Sequence, residues 1–292
     1  MIAYLDPLYR PPAEANSIIL QLTYGCSYNN CTFCSMYKNK GFHIRDIEDI
    51  KSEIDILSKS NPQATKVFLA DGDALVVDTI FLVEILEYLQ DRFKRLRRVS
   101  LYATFFNIKS KSIDELILLE QNKLSLIYIG IESGNDTILS KINKGIYSND
   151  MIELLNKVST ANIKISATII LGLGGIVYSS LHAKQTANII NKTTINYLST
   201  LQLGVDETIK DTFMDKFLDF VPLNDFDILQ EQRLFIEHIE PTNKVIFRSN
   251  HASNALHLKG ILPRDKNRLI LEIDKANQNP QDTIIPLKYR GF

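Results

Sequence analysis

The 292-residue sequence has no tryptophan, only three cysteines, and a formal net charge of −1. So even a balance gives no long-range attraction to nucleic acid or anionic lipid. No apolar run approaches the ~20 residues of a membrane-spanning helix, which excludes that class. The opening "MIAYLDPLYRPP" lacks both the basic start and the apolar middle of a signal peptide, so the cytoplasm is the expected location. The cysteines are odd in number and too close together for a useful disulfide framework, which again points to a reducing compartment. No Pro-, Gly- or Ser-rich linker and no solenoid-type repeat interrupts the chain.

What the sequence does have is 45% apolar residues and 23% charged residues, the balance of a globular protein with a large core. Short β-branched runs alternate with helical periodicity. Strands are expected at residues 17–23, 66–70, 98–103, 124–130, 163–172 and 196–203, with helices between them. One of those helices is opened by Ser112 with Glu115 three residues on, the spacing of a capping box. Nearly continuous apolar strands joined by helices predict a parallel sheet covered by helices, an α/β fold. After residue 204 the rhythm changes to a helix over 225–239, a short strand at 244–248 and a last helix near 265–276. The expected organisation is an N-terminal extension over 1–16, an α/β segment over 17–204, and a C-terminal extension over 205–292 packed on it.

Cys26, Cys31 and Cys34 follow directly on the first strand, at the strand end where βα barrels place their chemistry. Three thiolates on one loop favour an iron–sulfur cluster or zinc, with His43 as a possible fourth zinc ligand; inert buried thiols are the remaining reading. His43, His182, His238 and His257 otherwise show no ligand spacing and default to surface or core.

A cysteine triad here, with Phe33 before the last cysteine in "CTFC", resembles the radical S-adenosylmethionine (SAM) superfamily. The resemblance extends to "ADGDAL" after the second strand, "GIESG" after the fourth and "TIILGLGG" after the fifth, in barrel order. It covers about Ser17 to Leu203 and implies a partial (β/α)6 TIM-like barrel holding one 4Fe-4S cluster on Cys26, Cys31 and Cys34. SAM would chelate the fourth iron, which explains an odd number of thiols. SAM contacts are then expected from Phe33, Asp71, Gly72, Asp73, Glu132, Ser133, Lys144, Gly172 and Leu203. Tyr37 suits either packing against the loop or stacking on adenine. The cysteine spacing is C-x4-C-x2-C where the superfamily's commonest pattern is C-x3-C-x2-C, and Asp71 and Asp73 replace a glycine and a glutamate.

The resemblance implies reductive cleavage of SAM to a 5′-deoxyadenosyl radical that takes a hydrogen atom from a small polar substrate. The electron would come from a low-potential donor such as flavodoxin or ferredoxin. No cysteine is left for a second cluster or a methyl-carrying thiol. A porphyrinogen-decarboxylase-like oxidase is one alternative, and a zinc-stabilised non-catalytic binding module is another from a different class. The basic run "RFKRLRR", Arg92 to Arg98, reads as a solvated helix end complementing the helix dipole, so neither nucleic acid nor membrane is an expected partner. In "FRSNHASN", Arg248, Asn250, His251, Ser253 and Asn254 form a dense polar set that suits either substrate binding or a structured turn.

Overall fold

The structure, a computed structural model, describes residues 2 and 4–291. Eight strands form one sheet and follow one another in chain order. They are β1 Ile18–Gln21, β2 Lys66–Ala70, β3 Arg98–Tyr102, β4 Leu124–Glu132, β5 Lys164–Leu171, β6 Tyr197–Gln202, β7 Val245–Ser249 and β8 Leu258–Leu262. The α/β sheet expected from the alternating runs is present. By contact, the chain divides into two compact units: the described residues through Asn29 with 35–129 and 157–165, and residues 30–34, 130–156 and 166 onward.

In the first unit β1, β2, β3 and the start of β4 pair in parallel, with Leu20 opposite Leu69 and Leu69 opposite Leu101. These strands are buried on both faces, which is why they are almost wholly apolar. Helix α1, Ile47–Ser60, turns Ile50 and Ile54 inward and starts at Asp46, whose carboxylate accepts from the Glu48 and Asp49 amides. Such a cap stabilises a helix by about 1 kcal/mol. Helices α2, Thr79–Arg92, and α3, Phe105–Ser110, follow β2 and β3, and α4, Ile113–Gln121, opens with the Ser112–Glu115 capping box read from the sequence. Edge-on rings of Phe68, Tyr102 and Tyr128 fill part of the interior. Beside them Glu14, fully buried, accepts from the Tyr128 hydroxyl at 2.6 Å and pairs with Arg98 at 2.5 Å. The N-terminal residues thus lend a buried charge to the sheet rather than trailing from it.

In the second unit α5, Asp136–Lys141, and α6, Ser148–Thr160, as far as Asn156, follow β4, and α7, Gly175–Asn191, starts directly after β5. Beyond residue 204 come α8, Lys210–Lys216, α9, Asp225–His238, and α10, Lys266–Gln278. The C-terminal residues do more than pack on the sheet. β7 pairs parallel to β6, and β8 returns antiparallel to β7. Sequence reading finds β7 and misses β8, because "LKGIL" has only five residues and carries a glycine, a weak strand former, at its centre. Among the described residues no helix is long and apolar enough to cross a membrane.

Candidate active site

The loop after β1 is pinned at its base by a two-residue strand pair, Thr23–Tyr24 against His43–Ile44, in which His43 stacks on Tyr24. Its first cysteine is supported from behind by the segment after β2. The Gly72 amide donates to Gly25 O at 3.0 Å, and a Cβ on Gly72 would lie 2.7 Å from both Gly25 O and the Cys26 Cβ. Only glycine allows that approach. The two flanking carboxylates grip the same loop. Asp71, fully buried, accepts from the Gly25 amide at 3.0 Å and pairs with Lys40 at 2.5 Å. Lys40 also donates to Leu5 O and Pro7 O and lies over the rings of Tyr24 and Tyr37. Asp73 accepts from the Ser27 amide at 2.9 Å and from the Ser27 hydroxyl, and from Asn107 Nδ2 at 3.2 Å. Burial still raises its pKa above the usual carboxylate range. The long x4 spacer is anchored one residue at a time: Ser27 on Asp73, Tyr28 stacked on Phe106 at 4.7 Å, and Asn29 at φ +40° with its amide on Tyr37 O. Asparagine tolerates that left-handed backbone. Tyr37 is packing, edge-on to Tyr9, and burial beside Asp71 raises its phenol pKa well above normal.

In the second unit, residues 30–34 are tied to the turn after α5. The Thr32 amide donates to Ile142 O at 3.0 Å and Asn143 Nδ2 to Asn30 O at 3.1 Å. This brings Lys144 near Cys31 and Cys34. Burial works against its charge, yet Glu132, Cys31 and Cys34 together hold the Lys144 pKa above the usual lysine value. Glu132 ends β4 at φ +64° and accepts from Lys144 Nζ at 3.0 Å. Phe33 is half-buried on the same segment.

A buried polar chain lies behind the end of β5. His182 Nε2 faces Ile170 O at 3.1 Å, and since a carbonyl only accepts, the ring's Nδ1 accepts from the Ser133 hydroxyl at 2.8 Å. Burial pushes the His182 pKa down to about 4, so it is neutral at pH 7. Glu231 of α9 receives the Gly172 amide on Oε1 at 2.6 Å, while its Oε2 is buried without a hydrogen-bond partner. Gly172 has φ +79°, a left-handed conformation that favours glycine. Leu203 continues β6 by donating its amide to Leu171 O.

A family model, the radical SAM superfamily, matches residues 20–183, which includes all three cysteines and the segments after β1, β2, β4 and β5. The chain belongs to the radical SAM superfamily. Radical SAM proteins use a 4Fe-4S cluster and SAM, so this chain is an enzyme of that class rather than a zinc-stabilised binding module. Among curated relatives, tRNA-2-methylthio-N(6)-dimethylallyladenosine synthase of Dehalococcoides mccartyi is 29% identical over 175 residues, covering 58% of this chain and 40% of that one. Ribosomal protein uS12 methylthiotransferase RimO of Pelodictyon phaeoclathratiforme is 26% identical over 163 residues, covering 53% and 37%. The chain therefore spans about two fifths of the length of these relatives. Their names include tRNA and a ribosomal protein, so the expectation that nucleic acid is no partner has no support from them. Of solved structures, coproporphyrinogen III oxidase (HemN) from Escherichia coli aligns with TM-score 0.56 at 14% identity over 76% of this chain and 52% of that one. Methylornithine synthase (PylB) aligns with TM-score 0.53 at 14% identity over 76% and 63%. At such identities the likeness is one of fold.

The donor set fits the superfamily's cluster. Cys26, Cys31 and Cys34 are each half-buried, and none forms a disulfide. Among the described residues no three His, Cys, Asp or Glu groups converge as a single metal ion needs. A cubane cluster makes no such demand, since its ligands sit on separate irons. Of the radical SAM contacts expected from sequence, Glu132 and Lys144 come together, whereas the Asp71, Asp73 and Ser133 side chains are engaged within the protein. In the C-terminal loop Asn254 Oδ1 accepts the Gln202 amide, and its Nδ2 donates to Thr200 O and Ser249 Oγ. Ser253 is bonded to His251, and Arg248 and Asn250 face solvent. Sequence reading missed Glu231. Its one signal is an acid at an inward position of an amphipathic helix, which periodicity alone does not separate from a surface acid.

Glu231 leads to a pH prediction. Burial pushes its pKa up to about 7 from an ordinary 4.5. The folded state then holds a proton that the unfolded state releases, so its stability contribution is full below pH 4.5 and lost as pH rises to about 7. His182 acts the other way, losing its contribution as pH falls from 6.5 to about 4. Glu231→Gln stays neutral and still accepts the Gly172 amide. It is expected to gain about 3 kcal/mol on the parent between pH 4.5 and 7.5, measured by urea unfolding. A difference that does not change with pH would show that Glu231 is not buried as an acid.

Proposed function

We propose that this chain holds one 4Fe-4S cluster on Cys26, Cys31 and Cys34, binds SAM beside it, and removes a hydrogen atom from an organic substrate. The family match across all three cysteines carries this reading. A cluster held by Cys26, Cys31 and Cys34 would supply the electron for reductive cleavage of SAM. The protein's own part is to position, to dry and to protect. Asp71 and Asp73 stiffen the cysteine loop and leave the 71–73 backbone to meet the SAM amine. Lys144, held by Glu132, is a cation for the SAM carboxylate, and Glu132 is an acceptor for the amine or ribose. Phe33, Gly172 and Leu203 line the adenosine, with Ser133 supporting them through His182. Residues 17–204 are the catalytic segment, and 1–16 and 205–292 the extensions. The reductant is a low-potential protein such as flavodoxin or ferredoxin, and a reducing compartment such as the cytoplasm suits a chain whose cysteines serve a cluster.

All three cysteines of this sequence serve one cluster, so the methylthio transfer named for the relatives is not carried over. Likewise, the likeness to HemN brings no porphyrinogen chemistry with it. The test is anaerobic incubation of reconstituted protein with SAM and dithionite, followed by chromatography. 5′-Deoxyadenosine and methionine in equal amounts are expected, and intact SAM from iron-loaded protein would contradict the reading.

A further inference from the structure

In the polar loop at 248–254, Asn254 is spent on β6 and β7 and Ser253 on His251, so of its polar side chains only Arg248 and Asn250 face solvent. Elsewhere in the second unit the chemistry is different. A cavity of about 390 Å³ opens at the ends of β5 and β6, with Gly172 and Leu203 on its wall and α8 and α9 around it. Val205, Phe213, Met214, Phe220 and Ile228 make the wall largely apolar. Apolar side chains turned towards an open cavity forgo the burial that stabilises a core, by about 25 cal/mol per Å². Met214 is 38% exposed and Val205 and Phe220 are partly exposed, while Phe213 and Ile228 form the buried floor. One cation stands on the wall. Among the described residues Lys210 pairs with Glu207 alone, at 3.0 Å, and both are exposed, so the pair contributes little and is readily exchanged.

We propose that this cavity takes the substrate, and that the substrate has an apolar body carrying an anionic group that Lys210 receives. The assignment rests on the radical SAM reading, since it uses the nearness of Gly172 and Leu203 to connect the cavity with the cofactor site. The volume holds an aromatic or branched aliphatic group of drug-fragment size. A charge introduced into the wall opposes such a ligand, because burying an unpaired charge costs more than the apolar contact returns.

The test uses anilinonaphthalene sulfonate, an apolar anion whose fluorescence rises on leaving water, with cluster-loaded protein. Saturable binding of one dye per chain is expected. Met214→Glu, at an exposed helical position that tolerates the change in the fold, should weaken it about tenfold or more, and Lys210→Ala about threefold. Dye binding should persist when SAM is bound. Displacement of the dye by SAM would assign the cavity to adenosine and overturn the proposal. Binding that is unsaturable, or unchanged in Met214→Glu, would overturn it equally. These outcomes are separate from failure of the radical reading, which shows as absent 5′-deoxyadenosine in the unsubstituted protein whatever the dye does.

Discussion

Replacing Cys31 with alanine is expected to lower bound iron after anaerobic reconstitution from about four per chain to near none, and SAM cleavage by at least about a thousandfold. A cluster held by three thiolates has no spare ligand, and this sequence has no fourth cysteine to recruit. Folding should survive the change, because Cys31 is only half-buried and its neighbours Thr32 and Asn30 keep their own bonds to the turn after α5. Circular dichroism and the thermal midpoint check that point. A variant that keeps its iron, with unchanged stoichiometry, would remove Cys31 from the ligand set.

The second large effect is structural. Asp71→Ala is expected to destabilise the protein by about 3–5 kcal/mol, the cost of leaving a buried charge without its partner. Lys40 is only 3% exposed and would keep two carbonyls and two aromatic faces but no counter-charge, while the Gly25 amide would lose its acceptor. For a chain of this size the thermal midpoint should fall by roughly 5–10 °C. The loop that carries Cys26 hangs on the same carboxylate, so reconstituted iron should drop as well. Asp71→Asn with Lys40→Met removes both charges and keeps an acceptor for Gly25. It should recover more stability than either single change, since a buried pair replaced as a unit costs far less than one broken. Additive losses in that cycle would show that the two groups do not act as a pair.

Much of this was legible in the sequence, for physical reasons that also mark where legibility stopped. The strands of the sheet announce themselves because both faces are covered, so runs such as "KVFLA" are almost wholly apolar. The Ser112–Glu115 box is local, and local signals survive into the fold. The cysteine loop was readable because three soft ligands within nine residues have few other uses. Asp71 and Asp73 were not. Their partners Gly25 and Ser27 lie 46 residues away in sequence, and only the close parallel pairing of β1 with β2 brings them together. Contacts that depend on tertiary register leave no periodic trace. The same holds for Glu231, 59 residues from the Gly172 amide that it accepts, and for Asn254, which looks like a ligand-binding side chain in "FRSNHASN" and instead fastens the end of β6. A dense polar loop reads alike whether its groups await a substrate or satisfy one another.

The metal content of the unsubstituted protein tests the single 4Fe-4S cluster most directly. Iron, acid-labile sulfide and zinc should be counted after anaerobic reconstitution, with an electron paramagnetic resonance spectrum of the reduced sample. About four irons and four sulfides per chain, with a single cluster signal that changes when SAM is added, is the predicted result. A colourless protein carrying one zinc, or about eight irons with two distinct cluster signals, would contradict it.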